Sequence, residues 1–324
     1  SDEFKEPCLP DTNKWAYDVG GDGWGNNELQ YYTRARKKNA RVADDMLIIE
    51  AHNEIYGTNN YTSARLVTRG KADWTYGRIE VRAKLPAGVG TWPAIWMLPT
   101  DWIYGNGSWP DNGEIDIMEH VGYDPGVVHG TIHTHNYNHM QGTQKGDHIQ
   151  VPGATEEFHT YAVEWTSEEL RWYVDDEHYY TFENEHTGWR SWPFDHPFHL
   201  ILNIAVGGDW GGAQGVDESA FPVQLQVDYV RVYQAATEIE EPASDGERCY
   251  LFPNPSENAC RIESHTPLQT VEVWNTAGKK LLHKTPAAGR QKYSLDVSNL
   301  QAGVYAIRIR TRTGQVFTRR LMKK

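Results

Sequence analysis

The stretch Gly113-Glu-Ile-Asp-Ile-Met-Glu-His-Val-Gly122 places three carboxylates, Glu114, Asp116 and Glu119, within six positions of an otherwise apolar segment. The pattern predicts a β-strand, in which successive side chains point to opposite faces. Glu114 and Asp116 therefore share one face, whereas Glu119 would point to the other face of an unbroken strand.

A β-bulge at Ile117 or Met118 would return Glu119 to the face of the other two acids, and bulges are common beside active sites. The sequence thus predicts three acids lining one cleft. The alternative is a solvated stripe of acids on the outer face of an antiparallel strand, which a Glu-x-Asp-x-x-Glu string alone does not exclude.

Glycoside hydrolysis is typically catalysed by a pair of carboxyl groups. One carboxylate attacks the anomeric carbon, and a second carboxylic acid protonates the departing oxygen. Asp116, between the two Glu residues, would share a proton with the nucleophile and keep the acid pKa values apart. Aromatic residues precede the motif in Trp92–Pro99 and at Trp109, and Gly130–His133 follows it downstream. Aromatic side chains suit the apolar faces of sugar rings.

The chain resembles glycoside hydrolase family 16, and within it the laminarinase-like endo-β-1,3-glucanases. The resemblance runs through almost all of residues 1–234 and is carried by the acid motif and five further segments, Trp24–Thr33, Thr62–Leu66, Tyr76–Arg82, Trp92–Trp96 and Leu200–Gly208. It implies an all-β, jelly-roll β-sandwich of the concanavalin A type.

The resemblance also implies catalytic roles: Glu114 as nucleophile, Asp116 as its helper and Glu119 as general acid and then base. His133 is expected near the acid/base, where it would position the leaving group or tune the pKa of Glu119. For a single His, a hydrogen-bonded packing role is the alternative. A zinc site at His133 and His135 is disfavoured because no third ligand has a recognisable spacing.

Further substrate-binding residues are expected from the same resemblance: Asn26, Arg65, Trp92, Trp96, Trp109, Asn203 and Trp210. Trp is also a common core residue. We expect Trp109 to be the platform beside the scissile bond and Trp96 to be the member of the set most at risk of being core. The polar members of the set can equally serve to cap loops.

Composition excludes several classes of function. The net charge of −13 disfavours nucleic acid, an anionic membrane or an anionic polysaccharide as partner. No run of 18 or more apolar residues exists to span a bilayer. Neutral glucan fits better, and aromatic residues reach 12% of the chain. The chain opens just inside the first strand of the resembled family, so we expect a leader to have been removed.

Short alternating segments punctuated by Gly, Pro, Asn and Asp predict an all-β organisation for residues 1–234. Clear strands are Asp45–Ala51 and Arg78–Ala83, and a hairpin joins Tyr161–Trp165 to Leu170–Val174 through a polar turn. Residues 235–247 are acidic and almost without large apolar side chains, which is typical of a linker.

Residues 248–324 form a smaller β-sandwich by prediction, with strands at Thr270–Asn275 and Gly303–Arg310 and turns at Asn275–Gly278 and Thr311–Gly314. This part resembles the C-terminal sorting domain of the type IX secretion system of Bacteroidetes, through Phe252–Pro255, Val273–Lys279, Leu300–Tyr305 and the basic C-terminus. It implies a secreted or cell-surface protein that engages the secretion machinery. A fibronectin-like spacer or a carbohydrate-binding module is the alternative.

Asp228 interrupts a strand in Leu225–Tyr233, and the family resemblance implies a structural calcium there, held with backbone carbonyls. A solvent-facing Asp is the alternative. Cys249 and Cys260 are either a disulfide or two free thiols, with Cys8 unpaired. No cofactor is expected for catalysis.

The sequence therefore predicts a secreted, monomeric, retaining endo-glycosidase that cuts internal β-1,3 bonds of laminarin-type glucan. A mixed-linkage β-1,3-1,4-glucanase is the first alternative because the same acids serve both reactions. A non-catalytic glucan-binding protein is the second alternative, although such proteins generally lack one or both catalytic Glu residues.

Overall fold

The computed structural model describes residues 1–234, 249–254, 256–275 and 279–324. Contacts divide the chain into two units, Ser1–Gln234 and Ala235–Lys324. The expected linker, residues 235–247, lies outside the described residues, as do Pro255 and residues 276–278 of one predicted turn.

The first unit is built from strands, as the alternating sequence predicts. In chain order these are β1 Ala16–Asp18, β2 Gln30–Tyr32, β3 Ala40–Ala43, β4 Met46–Tyr56, β5 Asn59–Ser63, β6 Arg65–Val67, β7 Gly77–Lys84, β8 Thr91–Pro99, β9 Glu114–Glu119, β10 Val127–His133, β11 Lys145–Gln150, β12 His159–Trp165, β13 Glu169–Val174, β14 Glu177–Glu183, β15 Phe198–Val206 and β16 Val223–Tyr233. Short 3₁₀ helices span His139–Gln141 and Glu218–Ala220.

These strands form two sheets. One has seven strands in the order β1-β6-β15-β8-β9-β10-β11, and the other has the order β14-β13-β12-β7-β16-β4-β5-β2, with β3 paired to β4. Apolar side chains of both sheets make one buried core, which is the face-to-face packing of a sandwich. The jelly-roll prediction is confirmed, and so is the hairpin, in which Trp165 of β12 lies opposite Leu170 of β13.

Strand β15 lies inside the seven-stranded sheet, between β6 and β8. All nine of its residues are buried. Phe198 packs edge-on against the core residue Trp165, whereas Asn203 lines the opposite, open face. The near-continuous apolar sequence of β15 fits this burial, and its polar residue Asn203 lines the cleft.

The second unit contains β17 Cys249–Phe252, β18 Ala259–Ser264, β19 Leu268–Asn275, β20 Lys280–Lys284, β21 Lys292–Asp296, β22 Gly303–Thr311 and β23 Val316–Lys323. They form the sheets β17-β18-β21 and β20-β19-β22-β23 around a separate core. The predicted strands at β19 and β22 are confirmed, and the turn before β23 closes with the Gly314 amide donating to Thr311 O at 3.1 Å.

The structure decides between the two predictions for the cysteines. Cys249 lies opposite Ser264 in the β17–β18 ladder, whereas Cys260 lies four residues away along β18, roughly 13 Å at the usual rise of a strand. A disulfide requires Cα atoms within about 7 Å. Both thiols are therefore free and buried, and Cys8 is free and exposed.

No helix among the described residues is long and apolar enough to cross a membrane.

Candidate active site

Strand β9 carries the predicted bulge. Asp116 lies opposite Thr131 of β10, and Glu119 lies opposite His129. Three steps along β9 therefore match two along β10, and the ladder between β9 and β8 shifts at the same place. The extra residue turns Glu119 to the face of Glu114, so the prediction of a bulge is confirmed.

A buried tryptophan holds the backbone at this point. The Trp172 indole N–H of the opposite sheet donates to Asp116 O at 2.8 Å. Trp172 reaches the strand because Gly130 has no side chain: a Cβ there would stand 2.4 Å from Trp172 Cδ1. The core thus supports the bulge from behind, while the acids point into the cleft.

Glu114, Asp116 and Glu119 line one cavity on the open face of the seven-stranded sheet. The other residues of its wall are Trp24, Asn26, Glu28, Arg65, Trp92, Ala94, Trp96, Asn203 and Ala205. The solvated-stripe alternative is wrong, since the Glu114 side chain is only 15% exposed and that of Asp116 only 3%.

Glu114 is held by an indole. Trp109 Nε1 donates to Glu114 Oε2 at 2.8 Å, and His133 Nε2 lies 3.9 Å from Glu114 Oε1. Burial, and then the neighbouring Asp116, raise the pKa of Glu114 to about 8, against the opposing effects of His133 and Trp109.

Glu119 is held in the same way by a different indole. Trp92 Nε1 donates to Glu119 Oε1 at 2.9 Å. Burial raises the pKa of Glu119 to about 7, while His133 and the Trp92 N–H act to lower it. A carboxyl group with such a pKa holds a proton near neutral pH and can deliver it to a leaving group.

Asp116 is the most enclosed of the three acids. None of the described residues donates a hydrogen bond to its Oδ2 atom. Burial, followed by the charge of Glu119, raises the pKa of Asp116 well above its usual range. Because closely spaced carboxyl groups do not all ionise together, a proton on Asp116 leaves Glu114 free to be the anion.

His133 lies beside Glu114 and its helper Asp116, and not only near Glu119. It is opposite Glu114 in the β9–β10 ladder, and its Nε2 is 3.4 Å from Asp116 Oδ2. The structure therefore places His133 nearest Glu114 and Asp116, and its charge also acts on Glu119. The ring packs edge-on to His139 at 5.2 Å.

The predicted polar sugar-binding residues line the cavity, but each already contacts other protein groups. Asn203 accepts a hydrogen bond from Trp96 Nε1 at 2.7 Å. Arg65 is buried between the rings of Trp24 and Trp96, 4.7 and 4.6 Å from their centroids. Asn26 donates to a carboxylate of the cleft, described below.

The four tryptophans divide differently from the expectation. Trp96 is half-buried and forms part of the cavity wall, so the expectation that it is the first candidate for a core residue is wrong. Trp210 is half-buried and packs edge-on against Trp92 at 5.5 Å and against His129 at 5.0 Å. Trp109 donates a hydrogen bond to Glu114, and Trp92 donates one to Glu119.

Sequence reasoning missed Glu28 and Trp24, although both lie in the quoted segment Trp24–Thr33. Glu28 is a fourth acid of the cavity, bonded to Asn26 at 3.1 Å and to Gln30 at 2.6 Å. The available signal was the alternation of Glu28 and Gln30, two polar side chains at alternate positions leading into β2.

Two groups bear on metal binding. Within the described residues, Glu114, Asp116 and His133 are the one set of three His, Cys, Asp or Glu ligand atoms that lie within 4.8 Å of one another. Asp228 is not part of such a set. Its carboxylate is paired with Arg82 Nη1 at 2.6 Å, at a bulge of β16 between Val227 and Tyr229.

Comparisons with known proteins agree with this geometry. The chain is 67% identical over 239 residues to a β-glucanase of Rhodothermus marinus, which covers 72% of this chain and 84% of that protein. The solved laminarinase of Rhodothermus marinus is also 67% identical, with a TM-score of 0.72, and covers 72% of this chain and 95% of that one.

A non-specific endo-β-1,3(4)-glucanase of known structure is 50% identical, with a TM-score of 0.69, over 72% of this chain and 89% of that one. Residues 250–324 match the family described as secretion system C-terminal sorting domain, so the second unit directs the protein to the cell surface or the exterior. Residues 27–231 match the glycosyl hydrolases family 16. This chain, with its three acids on one bulged strand, is a member of glycosyl hydrolase family 16.

Proposed function

We propose that the enzyme hydrolyses internal β-1,3 bonds of laminarin-type glucan with retention, using Glu114 as nucleophile and Glu119 as acid and base. The observation that carries this proposal is the pair of cleft-facing Glu residues on one bulged strand, each bonded to its own indole N–H. The similarity to proteins described as a β-glucanase and a laminarinase supports the substrate class.

In the first step the Glu114 carboxylate attacks the anomeric carbon and a glycosyl ester forms. The glycosidic C–O bond breaks, its electron pair remains on the leaving oxygen, and that oxygen takes the proton of Glu119. In the second step Glu119 removes a proton from water, the water oxygen attacks the anomeric carbon, and the Glu114 carboxylate is released.

Asp116 keeps the nucleophile ready in this scheme. The raised pKa values of Glu114 and Asp116 mean that the pair retains a proton near neutral pH. A proton retained by the more enclosed Asp116 leaves Glu114 ionised. Trp109 Nε1, which donates to Glu114, favours the same distribution because an N–H donor stabilises the carboxylate form.

The test is release of reducing sugar from laminarin, barley mixed-linkage glucan and curdlan by wild type, E114Q and E119Q. We expect wild type alone to shorten laminarin rapidly, with internal cuts visible in the product sizes. Binding of laminarin without release of sugar, by wild type and E114Q alike, would make the protein a glucan-binding protein.

Mixed-linkage cleavage is the second candidate. It is favoured by the 50% identity to an enzyme described as acting on β-1,3(4)-glucan. Faster release from barley glucan than from laminarin would establish this activity as the main one.

For the organisation of the chain we propose a catalytic domain at residues 1–234, a linker at 235–247 and a sorting domain at 248–324, acting as a monomer. The matched ranges, 27–231 and 250–324, support this division. Deletion of residues 248–324 should abolish export from the native host while the purified remainder still cleaves laminarin. Light scattering of the full chain tests the monomer.

The structural calcium at Asp228 fits the described side chains poorly. The Arg82 guanidinium already neutralises the carboxylate, and a cation there would have to displace it and rely on backbone carbonyls. A melting temperature that falls on chelation and recovers with added Ca²⁺ would establish the site, and an unchanged melting temperature would remove it.

A further inference from the structure

Glu28 is an acid of the cleft for which the mechanism above has no use. Its Oε1 accepts a hydrogen bond from Asn26 Nδ2 at 3.1 Å. Its Oε2 accepts from Gln30 Nε2 at 2.6 Å and from the Tyr32 hydroxyl at 3.3 Å. Three donors converge on a carboxyl group that lines the same cavity as Glu119.

The direction of the bond from Gln30 is fixed by the backbone. The Val206 amide N–H donates to Gln30 Oε1 at 2.7 Å, and an amide N–H has no capacity to accept. Gln30 Oε1 is therefore the acceptor, and its NH₂ group faces Glu28. Gln30 is fully buried, so water does not offer it a competing partner.

The direction of the bond from Tyr32 is fixed in the same way. The Trp96 indole N–H only donates, and it donates to Asn203 Oδ1 at 2.7 Å. Asn203 Nδ2 then donates to the Tyr32 hydroxyl oxygen at 3.0 Å. The proton of the Tyr32 hydroxyl is left to point at Glu28.

Both branches thus begin at a group that can only donate and end at Glu28. A carboxylate accepts all three bonds, whereas a protonated carboxyl group would give up acceptor capacity to its own O–H. Burial raises the pKa of Glu28, and the donors Gln30, Asn26 and Tyr32 together with the charge of Arg65 oppose that rise. The network is built for an anion.

The Trp92 side chain lies near Glu28 and also contacts the acid/base, Glu119. Glu28 Cγ and Trp92 Cζ3 lie 3.3 and 3.4 Å from one point, the position that a Cβ on Gly208 would occupy. At its other end, the Trp92 indole donates to Glu119. Trp92 and both acids thus line one cavity, with Trp92 hydrogen-bonded to Glu119 and near the Glu28 side chain.

Other charged or titratable groups also face Glu119. Glu114 and Asp116 belong to its own strand, and His129 and His133 belong to β10. The charges of Glu114 and Glu28 both favour the protonated form of Glu119, whereas His133 opposes it. Of the acids that line this cavity in the described part of the chain, Glu28 is the one from outside β9.

We propose that Glu28 is a positioning residue of the hydrolase: a fixed anion whose charge holds the proton on Glu119 until a leaving group takes it. The inference rests on the proposed role of Glu119 as general acid. The hydrogen bonds from Trp96 through Asn203 and Tyr32 then serve to favour the ionised form of Glu28.

The test is the pH profile of kcat/KM on laminarin. The general acid must be protonated, so activity is lost as the pH rises through the pKa of Glu119. In E28Q and E28A the negative charge is gone, and this basic limb should move to lower pH by about 0.5 to 1 unit, the scale of one charge acting through a partly polar medium.

E28D retains the charge and serves as the control. It should leave the basic limb in its wild-type position, even where the rate falls. Circular dichroism and melting temperature check the fold, and E28A replaces E28Q should the introduced amide group disrupt the network. A basic limb that stays in place in both charge-free variants, or that moves to higher pH, overturns the inference.

A dinitrophenyl β-laminaribioside separates this inference from the proposed function. Its leaving group needs no proton, so the burst of dinitrophenol should survive in E119Q and E28Q alike. Loss of the burst in E119Q would overturn the acid role itself. A burst in E119Q together with an unmoved limb in the charge-free variants would overturn the role of Glu28 alone.

Discussion

Each catalytic carboxyl group accepts a hydrogen bond from one indole N–H, and removing these two N–H groups one at a time gives a matched pair of variants. Trp92 donates to Glu119 at 2.9 Å and Trp109 donates to Glu114 at 2.8 Å. Substitution by Phe removes each N–H while keeping an aromatic ring. We expect W92F to move the basic limb of the kcat/KM profile and W109F to move the acidic limb.

The magnitude follows from the hydrogen bond. A bond to a charged acceptor is worth about 1.5–3 kcal/mol and a bond to a neutral acceptor about 1 kcal/mol, so its loss costs the carboxylate form about 0.5–2 kcal/mol more than the acid. At about 1.36 kcal/mol per pKa unit, the pKa of Glu119 should rise from about 7 by about 0.4–1.5 units in W92F.

A raised pKa has different consequences for activity at the two residues. Glu119 must be protonated, so a higher pKa extends activity of W92F to higher pH. Glu114 must be ionised, so a higher pKa in W109F removes activity at low pH and moves the acidic limb upward from its wild-type position. The direction for W92F is also opposite to that expected for E28Q, which removes a negative charge and not a donor.

The assay is initial-rate hydrolysis of laminarin from about pH 4 to 9, with substrate far below KM so that the free enzyme is reported. Movement of the same limb in both variants, or of neither limb, would refute the assignment of separate roles. Trp210 packs against Trp92 at 5.5 Å, and the melting temperature of W92F shows whether that contact survives.

Three further predictions concern stability and thiols. G130A should lower the free energy of unfolding by about 1–3 kcal/mol, because a Cβ there stands 2.4 Å from Trp172. Denaturant titration measures this change, and an unchanged free energy of unfolding would mean that the two sheets separate easily at this point. Burial lowers the pKa of His120 to about 4, so the unfolded chain binds more protons and stability is lost as the pH falls from about 6.5 to 4; H120Q should flatten that dependence in melting curves. Cys249 and Cys260 should react with a thiol reagent after denaturation without a reductant, and oxidised protein lacking those thiols would contradict the strand register.

Local pattern was enough to predict the acid strand. The period of two places Glu114 and Asp116 on one face, and a single inserted residue returns Glu119 to it, so the prediction needed no knowledge of distant residues. The hairpin of Tyr161–Trp165 and Leu170–Val174 was accessible for the same reason, since its strands are joined by a short turn. Strand pairing at short range follows from alternation and turn chemistry.

Long-range partners were beyond the same reasoning. Asp228 pairs with Arg82, which is 146 residues away in sequence. No feature of the β16 sequence indicates that a guanidinium group lies next to Asp228. Cys249 and Cys260 looked suitably spaced for a disulfide, but the register of β17 on β18 separates them. In both cases the decisive quantity is which strands become neighbours and in what register.

The all-β class, the acid strand with its bulge and the family could therefore be predicted from residue pattern and motifs. The packed fold was needed to place His133 opposite Glu114, to bring Trp92 to Glu119 and to link Glu28 to Trp96 through Tyr32 and Asn203. The physical reason is that strand periodicity is a local property of the chain, whereas hydrogen bonds across a sheet depend on strand order and on the packing that excludes water from them.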